Sequence, residues 1–182
     1  GTHTPPAEVE FDPDDVAFQG YIWQEVLDKA STVKEALSLL QQYQLPELRE
    51  AHILIADAYG HAALIGVYNG KMAVKEVVNT CLLQTNFNPW HPELRDEPVC
   101  PRYEQASRHL RDEPEVSVDN IRRLLTETHQ GGLTVYSNVY DLVNRKIYTY
   151  PQRDFANPVI VSLPDIFSKG SCMLSLKPGG NN

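Results

Sequence analysis

The stretch AHILIADAYGHAALIGVYNGKMAVKEVV, residues 51–78, decides how this chain is read. It holds three apolar runs, AHILIAD, AALIGVY and KMAVKEVV, of strand rather than helix length and bounded by turn residues. AYGH supplies the first turn. Asn69-Gly70 supplies the second and is the strongest short-range hairpin signal, because both central residues of a type I′ turn need positive φ. The stretch predicts three antiparallel strands, with Leu82 to Thr85 as a fourth.

Working outward on the N-terminal side, Thr32 and Glu35 form an S/T-x-x-E capping box, and Val33, Ala36, Leu37 and Leu40 then share one helical face. This predicts a helix from Thr32 to Tyr43, ended by Pro46. Val16, Tyr21, Ile22, Val26 and Leu27 predict an earlier helix over Asp14 to Lys29. The first thirteen residues, GTHTPPAEVEFDP, are polar and proline-rich and read as a flexible surface tail, as does the closing KPGGNN.

On the C-terminal side, residues 86 to 101 hold four prolines and no periodicity, which predicts a long loop within the domain. Pro101 suits the first turn of a helix in which Tyr103, Ala106 and Leu110 share a face. Ser117 caps another helix, carrying Ile121, Leu124 and Leu125, and Gly131-Gly132 stops it. LTVYSNVYDL and KIYTY alternate about the turn NRK and predict a second hairpin, followed by a strand in PVIVSL. Alternating aromatics normally pack, so Tyr136, Tyr140, Tyr148 and Tyr150 read as core sheet. Helices, strands, helices and strands joined by short hairpins predict an α+β fold of layered antiparallel sheets covered by helices, and argue against a doubly wound parallel sheet.

A chain of 182 residues can bury a core of its own, and a single domain is the default. Sixteen Lys and Arg against 24 Asp and Glu leave a net charge of −8 with no basic patch, which excludes nucleic acid and anionic lipid as expected partners. No apolar run is long enough to cross a bilayer. Generic catalytic motifs are absent: no phosphate-cradling glycine loop, G-x-S-x-G elbow, H-E-x-x-H or C-x-x-C. The six histidines are dispersed, so no metal or other cofactor is expected. Cys81 and Cys172 read as small buried hydrophobes beside strands; Cys100, between prolines in a loop, is the one to test for reactivity.

HILIADAYGHAALIGVYNGKMAV followed by QTNFN resembles a segment of choloylglycine hydrolases, penicillin V acylases and acyl-CoA:6-aminopenicillanic acid acyltransferases, members of the Ntn hydrolase superfamily. In that family a strand ending in Asp precedes a hairpin, and a Thr-Asn pair then enters the active site. The resemblance implies that Asn86 is the active-site asparagine, whose amide N–H stabilises an acyl oxyanion. Pro101-Arg102-Tyr103 is similar to the family's arginine at a helix start. Arg102 would then lower a thiol pKa or hold a carboxylate. TVYSNVYDLVNRKIYTYPQRDF resembles the family's closing hairpin, with Thr134 and Ser137 facing the substrate. Asn86 and Arg102 are expected to converge on one cavity.

The resemblance extends from about the Thr32 helix to about Leu176, and it has departures. Gly66 stands where relatives often carry Glu. The family nucleophile is an N-terminal Cys whose own amine takes the thiol proton, and Gly1 cannot do this. The reading is therefore the C-terminal portion of an αββα Ntn-like fold with its N-terminal strands missing, from a cysteine amidohydrolase or acyltransferase acting on linear amides. Its partners would be an N-terminal half or a second copy of the chain, and a small N-acyl amide substrate. The alternative is a non-catalytic binding or structural domain that keeps the fold.

Overall fold

The computed structural model describes residues 8–11, 14, 16–90 and 100–170. Its chain contacts divide it into two compact units, Gly1–Cys100 and Pro101–Asn182.

The first unit begins with β1 (Val16–Ala17), α1 (Ile22–Lys29), α2 (Val33–Leu40), β2 (Tyr43–Gln44) and a 3₁₀ turn (Pro46–Arg49). The capping box forms as the sequence requires: Thr32 Oγ1 accepts the Glu35 N–H at 3.2 Å, and Glu35 Oε2 accepts the Ser31 and Thr32 N–H groups at 2.8 and 3.1 Å. The helix over 14–29 is shorter than its periodicity suggests. Val16 and Ala17 instead pair in parallel with Tyr43 and Gln44, and strand pairing takes their backbone groups out of helix competition.

The three strands of the opening stretch follow as β3 (Ile53–Ala56), β4 (His61–Tyr68) and β5 (Lys71–Val78), antiparallel in the order β3-β4-β5. Asn69 and Gly70 turn with φ of 49° and 78°, the positive values a type I′ hairpin demands. β4 is central: Ala63, Ile65 and Val67 pack on one face with Ile22, Val26, Val33, Ala36, Leu37 and Leu40. Leu64, on the other face, is buried too. A strand covered on both sides reads as a continuous apolar run, which is why AALIGVY does not alternate. Leu82–Thr85 is not the expected fourth strand; β5 ends at Val78, and Asn79, at φ 51°, turns the chain and donates its N–H to Gly60 O at 2.9 Å.

Part of the stretch read as a tail is tied to this unit. Val9 packs against the core, the Glu10 N–H donates to Gly70 O at 2.6 Å, and Arg49 lies 5.9 Å from the Phe11 ring centroid. The rest of that stretch, most of the proline-rich loop, and the closing KPGGNN fall outside the described residues.

The second unit comprises α3 (Pro101–Asp112), α4 (Val118–Thr128), a 3₁₀ turn (Gly131–Leu133), β6 (Tyr136–Asp141), β7 (Lys146–Pro151), β8 (Val159–Ser162) and α5 (Leu163–Lys169). Ser117 Oγ accepts the Asn120 N–H at 3.2 Å and caps α4 as expected. α4 already ends at Thr128, so the glycines shape the following turn rather than stop the helix. The strands are antiparallel in the order β6-β7-β8. Val139, Tyr150 and Phe155 form the buried cluster, with Val118, Ile121, Leu125 and Tyr148 against it.

The four tyrosines do not all pack. Tyr148 and Tyr150 oppose Val139 and Ser137 on the face toward that cluster, whereas Tyr136 and Tyr140 lie on the other face and are 55% and 58% exposed. Alternation identifies two faces but not which of them is covered. α5 was not legible as a helix because PVIVSL runs into it without a break; Pro164 sits in its first turn, where a missing N–H costs nothing. The fold is mixed α+β, with helices and antiparallel sheets in both units.

Candidate functional site

The turn after the first sheet holds the leading candidate, Asn86. Gln84 Nε2 donates to Thr85 O at 2.7 Å and to Phe87 O at 2.6 Å, and the Phe87 N–H closes on Thr85 O at 3.0 Å. One side-chain amide thus clamps three consecutive residues, with exposed Asn86 at the tip. Gln84 Oε1 and Thr85 Oγ1 are buried without a hydrogen-bond partner among the described residues. Gln84 was not singled out from sequence; its signal, a long amide beside a non-repetitive Thr-Asn, is too common to notice.

Gly66, where the resembled family often has Glu, is occupied from above. A Cβ there would collide with the Trp90 indole and lie 2.5 Å from His52 Cδ2. The two rings are 5.6 Å apart at a tilt of 42°, and burial lowers the His52 pKa. Trp90 is held by its N–H on Asn88 Oδ1 at 3.0 Å. The glycine is the socket for the start of the proline-rich loop, which gives its presence a packing reason.

Asp57, at the end of β3, has a structural task. Its Oδ1 accepts the N–H groups of Tyr59 and His61 at 2.9 and 3.1 Å, and its Oδ2 accepts that of Val33 at 3.0 Å. The carboxylate joins the β3–β4 turn to the N-terminus of α2. Burial opposes its ionisation, but the Val33, His61 and Tyr59 N–H groups outweigh burial and hold its carboxyl below the usual range.

The remaining expected residues lie in the second unit. Arg102 is half-buried in the first turn of α3, in a different unit from Asn86. Thr134 Oγ1 accepts the Gln130 N–H at 2.8 Å, and its own N–H donates to Gln130 O at 3.2 Å, so its hydroxyl serves the 3₁₀ turn. Ser137, on β6 opposite Tyr150, is half-buried on the cluster face.

Cys81 differs from its reading as a buried strand residue: it is exposed and outside any strand, because the fourth strand does not form. Desolvation still pushes its thiol up, which disfavours the nucleophilic thiolate. Cys100 is of intermediate exposure, and Cys172 lies outside the described residues. No group of three or more His, Cys, Asp or Glu among the described residues could hold a metal, and no described helix is long and apolar enough to cross a membrane.

The spacing of residues also missed a buried polar cluster between α3 and α4. His109, only 7% exposed, places Nε2 at 2.7 Å from Asn120 Oδ1 and Nδ1 at 3.1 Å from Glu127 Oε2. A histidine on a polar helix carries no mark of this in sequence.

No protein-family model, curated protein or solved structure matches this chain.

Proposed function

We propose that this chain is the C-terminal part of an Ntn-type cysteine amidohydrolase or acyltransferase acting on linear amide bonds, with the nucleophile supplied from outside these residues. The observation that supports the reading is the Gln84 side-chain clamp on the Thr85 and Phe87 carbonyls, which presents exposed Asn86 at the tip of the turn. The clamp fixes the backbone that carries Asn86, and oxyanion stabilisation calls for a donor carried on a fixed support. In this reading further strands of an αββα fold come from an N-terminal segment or a second copy of the chain.

The chemistry follows from the residue types. A cysteine thiolate attacks the amide carbonyl carbon, and the oxygen takes up the electron pair of the C=O bond. The Asn86 side-chain N–H stabilises that oxyanion. Collapse breaks the C–N bond, the amine leaves with a proton from the nucleophile's α-ammonium group, and water or an acceptor amine then takes the acyl group from the thioester. Arg102 supplies a permanent cation that favours the thiolate or holds a substrate carboxylate. Thr134 and Ser137 border the substrate.

One observation favours the binding-domain alternative: Gly66 replaces an acidic residue and lies under Trp90 and His52, so a position near the resembled site has been given to packing. Activity separates the two. The complete reading frame containing this chain, incubated with N-acyl amino acids, penicillin V and bile-salt conjugates, should release amine and show an acylated cysteine by mass spectrometry. Asn86→Ala should lower kcat by about 10²–10³-fold. Absence of both turnover and acylation across these substrates would overturn the enzyme reading in favour of the binding domain.

A further inference from the structure

The His109 cluster is buried, titratable and independent of the proposed reaction, and its hydrogen bonds fix its protonation. Asn120 is 1% exposed, and its Nδ2 donates to Glu113 O at 2.8 Å and to Glu115 O at 2.6 Å. Both amide hydrogens are thereby used. Flipping the amide would set its oxygen against two carbonyl oxygens, so Oδ1 must face His109 Nε2, and Nε2 must carry a proton. On the opposite side of the ring, Nδ1 faces the Glu127 carboxylate, an acceptor only. A neutral ring protonated at Nε2 would point its Nδ1 lone pair at that carboxylate. Only the imidazolium satisfies both partners.

Charged groups of both signs surround the ring. From α4 come Glu127 and Arg123, whose Nη2 lies 3.4 Å from Asn120 Oδ1 and opposes a cation. Arg123 is itself paired with Glu113, just beyond α3, at 2.6 Å and with Asp119 at 3.5 Å. His109 also lies in the last turn of α3, where the helix dipole favours positive charge. Burial works against the charged ring, yet Asn120, Glu127 and Glu113 prevail and raise its pKa above the ordinary value.

We propose that His109, when protonated, is a buried imidazolium pin that joins α3 to α4 and to the 113–115 connection, and that its deprotonation releases this helix pair. The sign follows from linkage. A group whose folded pKa is raised contributes stability that is complete below its unfolded value of about 6.5 and is lost as pH rises through the folded value. The second unit therefore loosens toward alkaline pH.

Nitrogen-detected NMR of the histidine rings in the full chain between acid and alkaline pH tests this. Both His109 nitrogens should carry protons below about pH 6.5, with a midpoint above that value. Glu127→Gln should move that midpoint down. As His109 deprotonates, amide exchange protection in α3 and α4, corrected for intrinsic rates, should fall by about ten- to a hundredfold, while β4 amides serve as the control. A midpoint at or below about 6.5 would overturn the proposal, as would α3–α4 protection that stays constant through the titration. The wild-type titration decides even if the variant fails to fold.

Discussion

The two units solve the same problem, fastening a helix to its neighbours, with groups of opposite charge. In the first, the Asp57 carboxylate ties the β3–β4 turn to the start of α2 through three backbone N–H groups. In the second, the proposed His109 imidazolium ties the end of α3 to α4. Their apolar support differs as well. Among the described residues, the first unit's cluster holds eleven buried side chains and the second unit's three, so the second leans more on its polar network. The difference teaches that the units should fail at opposite ends of the pH scale: the carboxylate pin at acid, the imidazolium pin at alkali.

The largest effect is expected at Asp57. Asp57→Ala leaves three N–H groups without their acceptor and should cost about 3 kcal/mol, read from denaturant unfolding of the first unit. The sign with pH is fixed by the depressed pKa: the contribution is present above the unfolded value of about 3.9 and is lost as pH falls through the lower folded value. Asp57→Asn should flatten that acid limb, and an unchanged limb would show that Asp57 is not the pin. Gly66→Ala comes next. The added methyl meets Trp90 and His52, and overpacking of this kind costs about 1–3 kcal/mol. Increased Trp90 fluorescence quenching by iodide would report the ring's displacement; unaltered stability and quenching would mean that the loop is not seated on β4.

The smallest effect belongs to Thr134. Thr134→Ala removes the acceptor for the Gln130 N–H and should cost about 0.5–1 kcal/mol at an exposed turn, with Thr134→Ser restoring most of it. A substrate-facing role adds a rise in KM in the complete enzyme. Loss of stability with unchanged KM would leave Thr134 as a turn residue alone.

Sequence by itself determined the elements whose signals are local: the Thr32–Glu35 capping box, the Asn69-Gly70 hairpin, the Ser117 cap and the strand pairs on either side of the turns. Each rests on residues within a few positions of one another, where backbone sterics and a single hydrogen bond suffice. It also supplied the family resemblance, and with it Asn86 and Arg102 as candidates. Tertiary structure alone decided what required distant segments to meet. Leu82–Thr85 has strand-like residues but no pairing neighbour among the described residues, where it is irregular. Tyr136 and Tyr140 alternate like their partners yet lie on the face opposite the buried cluster and are exposed. Asp57 reaches Val33 across 24 positions, and His109 reaches Glu127 across 18, and no local spacing rule encodes either approach. Charge and hydrogen-bonding capacity are written in each residue; burial, which turns them into pins sensitive to pH, depends on which other segment arrives.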